Sequence, residues 1–157
     1  MTTNLEFRNF RRGPDDDRYR WKPFEPNAQF NRDDWWDDPP YRWDNPWFVQ
    51  VLLDGTEVAR VELDETFYGS AHDGAPELGS EVLVVRQIEV SQSHRRLGIG
   101  SKVVAGLAAA NPGRRLIALS MDADEFWASV GWDRYDDFSN GPHHQANPLF
   151  VQPDGGG

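Results

Sequence analysis

The stretch Arg95-Arg96-Leu97-Gly98-Ile99-Gly100-Ser101 has the residue types and spacing best suited to chemistry. It follows a β-branched run, Glu81 to Val90, and leads into a segment where Ile99, Val103, Gly106, Leu107 and Ala110 recur at helical spacing. The first turn of a helix carries four backbone N–H groups without intrahelical acceptors, and the helix dipole adds partial positive charge, so the turn attracts an anion. Gly98 and Gly100 offer no side chain that would hold a phosphate away from those donors. Arg95 and Arg96 add charge, and Ser101 adds a hydroxyl. The plain alternative is a glycine-bearing turn with two solvated arginines. The pattern is neither a Walker loop, since no Gly-Lys-Ser/Thr follows, nor a dinucleotide fingerprint, which needs three glycines after the first strand of a βαβ unit.

Other chemistry-bearing groups are scattered. With no cysteine, a disulfide, a thiolate nucleophile and a zinc ribbon are excluded. His143 and His144 are adjacent and lack a partner at zinc spacing, and His94 reads as a turn residue beside the arginines. The aspartates at 15–17 and 33–38 lack the loop spacing of a calcium site and read as a solvated acidic face. No metal is expected.

The elements that must position the turn follow from hydrophobic pattern. Leu5 to Phe10 reads as a short strand. Trp47 to Leu53 and Thr56 to Leu63 flank Asp54-Gly55, a turn pair tolerant of positive φ, and so predict a hairpin. On its second strand Ala59, Val61 and Leu63 look buried, leaving Val58, Arg60 and Glu62 to the other face. Glu81 to Val90 is apolar enough for a central strand. A helix follows the glycine turn and stops at Asn111-Pro112-Gly113, and Arg115 to Met121 is another buried strand. A second helix is expected from Asp122, capped by that residue with Glu125 three positions on and ended by Gly131. Trp132 to Asp136 and Asn147 to Gln152 make a closing pair, and Gly155 to Gly157 a disordered tail at 154–157. The order predicts a single α/β (α+β) domain over 1–153 with a mixed sheet.

The run Arg95-x-x-Gly98-x-Gly100 between a central strand and a helix resembles the acyl-CoA-binding motif of the GNAT N-acetyltransferase superfamily. Ile88-Glu89-Val90 falls at the end of that family's fourth strand, and Phe126 to Trp132 is similar to its helix ending in aromatic-Tyr-x-x-x-Gly-Phe. The resemblance covers about residues 47–137, with 81–137 as the acyl-CoA-binding core. It implies a mostly antiparallel central sheet flanked by helices, with a Pro/Trp/Asp-rich segment in place of long first helices. It also implies that Arg95 and the amides of Arg96, Leu97, Gly98, Ile99, Gly100 and Ser101 hold the pyrophosphate of acetyl-CoA or another short acyl-CoA. The backbone of Ile88 to Val90 would pair with the pantetheine arm where the fourth and fifth strands splay. The family's usual tyrosine acid falls on Trp127, its asparagine near Ser120, and its strand glutamate on Val84. Indole donates a hydrogen bond but has no usable acidity. Glu89 is then the best-placed base or water-orienting group, with a strand-face carboxylate as the plain reading, and Tyr135 and Tyr68 are substitute acids that otherwise pack.

Charge and aromatics complete the reading. The 157 residues carry 26 Asp and Glu against 16 Lys and Arg, a formal net charge of -10, which argues against binding a phosphate backbone. No apolar run approaches the ~20 residues of a membrane span, and the start lacks a secretory pattern, so a cytoplasmic protein is expected. Residues 13–46 hold six prolines, and 12 of the 20 aromatics lie between Phe7 and Phe48, five of them tryptophans. Proline at that density excludes long helices, while the rings disfavour water, so the segment should pack on the domain with its carboxylates outward. By resemblance it lines the acceptor side, where Trp35, Trp36, Asp37 and Asp38 would favour a cation. The expected activity is acetyl transfer to a primary amine of a cationic small molecule or protein, by a monomer or homodimer. The rivals are a catalytically weak or inactive acyl-CoA-binding or protein-interaction module on the same fold and, from the acidic charge alone, a mimic of nucleic acid.

Overall fold

A computed structural model of the chain describes residues 4–17, 20–30, 47–65, 74–76, 79–120, 123–136 and 147–153. Seven strands and two helices run in the order β1 (Leu5–Arg11), β2 (Trp47–Leu53), β3 (Thr56–Asp64), β4 (Val82–Val90), α1 (Ile99–Ala110), β5 (Arg115–Leu119), α2 (Asp124–Ser129), β6 (Asp133–Tyr135) and β7 (Leu149–Val151). The strands lie in the sheet order β1-β2-β3-β4-β5-β7-β6. β1–β2, β2–β3, β5–β7 and β6–β7 are antiparallel, and β4–β5 is parallel. This is the mixed, mostly antiparallel sheet that the order of elements predicts. The chain divides into two compact units, Met1–Asp64 with Arg86–Leu107 and Glu65–Val85 with Ala108–Gly157.

In the first unit the β2–β3 hairpin closes through Asp54 at φ 50 and Gly55 at φ 83. Both central residues at positive φ define the turn whose twist matches the flanking strands. Phe7, Val51 and Ala59 lie in register across β1, β2 and β3. α1 meets Phe7 at Gly106, where a Cβ would overlap the phenyl ring, so glycine there sets how closely the helix approaches. The opposite face differs from expectation: Val58 and Arg60 are as buried as Ala59 and Val61. The cover is the segment 20–30. Phe24 stands edge-on to Phe48 at 5.7 Å, with Trp21 at 6.0 Å, and Phe24 and Phe30 lie over the Arg60 guanidinium at 4.8 and 4.4 Å. Alternation therefore failed to mark an outer face because the aromatic segment turns it into a second buried one.

Arg60 is 1% exposed and grips Glu57 through two bonds of 2.9 Å while donating to the Glu25 carbonyl at 2.6 Å. Gln50 and Asn27 also donate to the Glu57 carboxylate, at 2.9 and 3.1 Å. Burial raises the proton affinity of Glu57, but these donors and the guanidinium charge outweigh it and hold the carboxyl below its ordinary range.

In the second unit Val82, Val84, Ile117, Leu149 and Val151 form a core cluster, with Ala75, Leu119 and Tyr135 against it. α2 begins at Asp124, later than expected, with Ala123 as its N-cap and no side-chain capping bond. Asp122 lies outside the described residues. The helix ends as predicted, with Gly131 at φ 84 donating to the Ala128 carbonyl at 3.0 Å.

Removing one member of a buried ion pair leaves the other charge uncompensated, which costs about 3–5 kcal/mol. Arg60→Ala should lower the unfolding free energy by about that amount in denaturant titration. Amide exchange over residues 20–30 should accelerate before that of β2 and β3.

Candidate functional site

The predicted anion turn forms as one structure within the first unit. β4 ends at Val90, a 3-10 turn covers Gln92–His94, and Arg95–Gly98 lead into α1 at Ile99. Gly98 has φ 76, a conformation that side chains resist, and a Cβ there would meet nothing within 4 Å. The glycine is thus required by the backbone, and the space beside it is open. Arg96 also has positive φ, at 66, a strained conformation for a residue with a side chain. The first bond of α1 is Lys102 N–H to the Gly98 carbonyl at 3.3 Å, so the amides of Ile99, Gly100 and Ser101 precede the first closed turn.

Arg95, Arg96, Leu97, Gly98 and Ser101 are exposed, Gly100 is half-buried, and Ile99 turns into the core. Arg95 donates to the Val90 carbonyl at 3.1 Å and approaches Glu89 at 3.8 Å. Glu89 itself is only 5% exposed, so it is not the outward strand-face carboxylate of the plain reading. Ile88 and Val90 are half-buried on the same strand end. His94 is held by Ser91 and Ser93, with Nδ1 2.6 and 3.2 Å from their hydroxyls. The turn is tied to the N-terminal segment: Gln92 N–H donates to the Gln29 carbonyl at 3.0 Å, and Ser93 N–H to the Gln29 side-chain oxygen at 2.9 Å.

The remaining candidates fall in the second unit. Ser120 is buried. It donates to Asp124 at 2.5 Å and accepts from the Ala123 amide at 3.2 Å, so its hydroxyl anchors the start of α2. Arg134 joins the same carboxylate at 3.2 Å. Trp127 is 3% exposed and stacks on Trp132 with centroids 4.7 Å apart, and Tyr135 packs on the core cluster. β4 pairs with β5 over Val82, Val84 and the residue between them, while β4 itself continues to Val90. Trp35, Trp36, Asp37 and Asp38, with Tyr68, His143 and His144, lie outside the described residues. Among the described residues no group of three or more His, Asp or Glu could hold a metal ion. No helix among them is long and apolar enough to cross a membrane.

One titratable group escaped the sequence analysis. Glu62 on β3 is half-buried, and burial together with the Asp64 charge pushes its carboxyl up to about 7 against the opposing pull of Arg86. Its alternation placed it on an outer face, and only the cover from segment 20–30 makes that face dry.

The sequence matches no family model, and no curated protein is similar to it in sequence. Solved structures do resemble the fold. An acetyltransferase from Thermus thermophilus superposes with a TM-score of 0.50 at 18% identity, over 69% of this chain and 64% of that one. An aminoglycoside acetyltransferase in complex with coenzyme A gives 0.51 at 15% identity, over 68% and 65%. An acetyltransferase of the GNAT family from Staphylococcus aureus gives 0.46 at 14% identity, over 68% and 66%. The aligned part spans under two thirds of the length of each of the first two proteins. The chain has the GNAT fold.

A carboxyl raised from 4.5 to about 7 binds its proton more tightly in the folded state. Stability should therefore be highest below pH 4.5, as far as Glu62 alone decides it, and fall as pH rises to about 7. The total is on the order of 2–3 kcal/mol at about 1.4 kcal/mol per pH unit. Denaturant titration of Glu62→Gln from pH 5 to 8 should show that decline flattened and the variant more stable at pH 8.

Proposed function

We propose that the chain is an acyl-CoA-dependent N-acetyltransferase that moves an acetyl group from acetyl-CoA, or another short acyl-CoA, to a primary amine of a cationic small molecule or protein. The observation that carries this reading is the Arg95–Ser101 turn on a GNAT fold. It combines exposed arginines, a glycine whose open side would admit a phosphate, and helix amides that precede the first closed turn. Those residues fit a pyrophosphate by chemistry as well as by position: charge-assisted bonds from guanidinium and amide suit an oxyanion. Coenzyme A bound to the aminoglycoside acetyltransferase, which shares the fold, supports the same assignment.

Coenzyme A supplies an activated thioester. The chain's share would be to hold the pyrophosphate through Arg95, Arg96 and the amides to Ser101, and the pantetheine arm along the backbone of Ile88 to Val90. The segment bearing Trp35, Trp36, Asp37 and Asp38 would then receive the amine, since rings and carboxylates attract a cation. The rest of the proposal is a cytoplasmic protein working without a metal, as a monomer or homodimer.

Trp127 favours a second reading, an acyl-CoA-binding module without turnover. It replaces the family's tyrosine acid, and its ring is buried against Trp132. Because water can protonate a departing thiolate, the catalytic reading survives that replacement.

Calorimetry should show acetyl-CoA binding that weakens about tenfold or more in Arg95→Ala, the loss of a charge-assisted bond worth ~1.5–3 kcal/mol. Release of free thiol with cationic amines but not with neutral or anionic acceptors supports transfer. Tight binding without thiol release across an amine panel supports the module instead. Trp35→Ala and Trp36→Ala should raise the KM for the acceptor while leaving cofactor binding in place.

A further inference from the structure

Glu62 combines features that no other described carboxyl shares. It lies on the face of β3 that Arg60 and, across the register on β2, Phe48 define, beneath the aromatic cover of Trp21, Phe24 and Phe30. Two residues along, Asp64 is committed to Arg86 of β4 at 3.0 Å, and Arg60 is committed to Glu57. Glu89, the candidate from sequence, is buried and turned toward Arg95. Glu62 is half-buried and, among the described residues, makes no hydrogen bond or ion pair, so it keeps both carboxyl oxygens for a visitor. The charged groups acting on it are Arg86 from β4 and Asp64 from its own strand. β2 presents the apolar Phe48, and on the covering segment Lys22 and Glu25 are exposed. On β1, Arg8 pairs with Glu6 and Arg11 lies over Trp47.

We propose that Glu62 is the proton acceptor for the incoming ammonium in the acyl transfer, a role that rests on the N-acetyltransferase reading. Arg86 stands four strand steps before Val90, roughly 13 Å at about 3.3 Å per residue, a span that an extended pantetheine arm anchored at the Arg95–Ser101 turn can follow back toward Glu62. The carboxylate takes one proton from the ammonium group. The nitrogen lone pair so freed forms the C–N bond to the thioester carbonyl carbon, and the C–S bond breaks with its electron pair on sulfur. The surplus proton on nitrogen ends on the thiolate, giving the amide and free coenzyme A thiol, and Glu62 returns its proton to solvent. A carboxyl poised near neutrality suits that duty, because it is ionised enough to accept a proton and basic enough to hold one.

The test measures kcat and KM from pH 5.5 to 9 for the full chain, Glu62→Gln and Glu62→Asp, with acetyl-CoA and two amine acceptors of different basicity, alongside acetyl-CoA calorimetry. The expected wild-type profile has an acid limb near pH 7 that does not move with acceptor basicity. Glu62→Gln should lower kcat about 100-fold or more, abolish that limb and leave KM and acetyl-CoA affinity within about threefold. Glu62→Asp should keep the limb at intermediate kcat. An active wild type with kcat within threefold in Glu62→Gln, a limb that persists there, or a change confined to KM would overturn the assignment while sparing the enzyme reading. A wild type that binds acetyl-CoA but turns over no amine overturns both.

Discussion

A guanidinium removed from water must be matched by acceptors and charge, and the way Arg60 is matched organises the first unit. Glu57, on the same strand, supplies the countercharge, and the Glu25 carbonyl supplies a further acceptor from a segment with no regular structure. Phe24 and Phe30 close over the cation, exchanging its hydration for ring faces. A proline-rich segment cannot bond to itself as a helix or strand does, so its placement depends on contacts of this kind. Asn27 shows the economy of the arrangement: its side-chain nitrogen donates to Glu57 while its oxygen receives the Gln29 amide.

That cover explains why the strand pattern was only partly legible. The hairpin, the central strand, the glycine turn and the helix after it could be read because their signals are local: Asp54-Gly55 for the turn, β-branched runs for β3 and β4, helical spacing from Ile99. The burial of Arg60 and Glu62 was not, because alternation reports a buried face only where the other face meets water. A segment over 30 residues upstream decides that, and no local window contains both. The start of α2 was missed for a related reason. Asp122 and Glu125 have the spacing of a capping pair, but the hydroxyl that reaches the first amide belongs to Ser120.

The anion turn was legible in sequence almost in full, because glycine spacing and adjacent charge are its physical requirements. The role of Glu89 was less so. Sequence placed it on a strand end but could not show that the Arg95 guanidinium would lean back toward it and the Val90 carbonyl. Ser120 and Trp127 were readable as positions in a family pattern, yet their side chains serve α2 and its ring stack.

The bonds from Gln29 to Gln92 and Ser93 have a thermodynamic consequence for the molecule. They join the aromatic cover to the turn that precedes Arg95, so the two conformations share one free-energy balance. Any ligand that prefers this form of the turn lends the same preference to the docked cover, and linkage makes the effect reciprocal. A molecule gripping the cover would tighten the turn for an anion by an equal factor. Cooperativity between two ligands is thereby available without a moving domain, through a single glutamine.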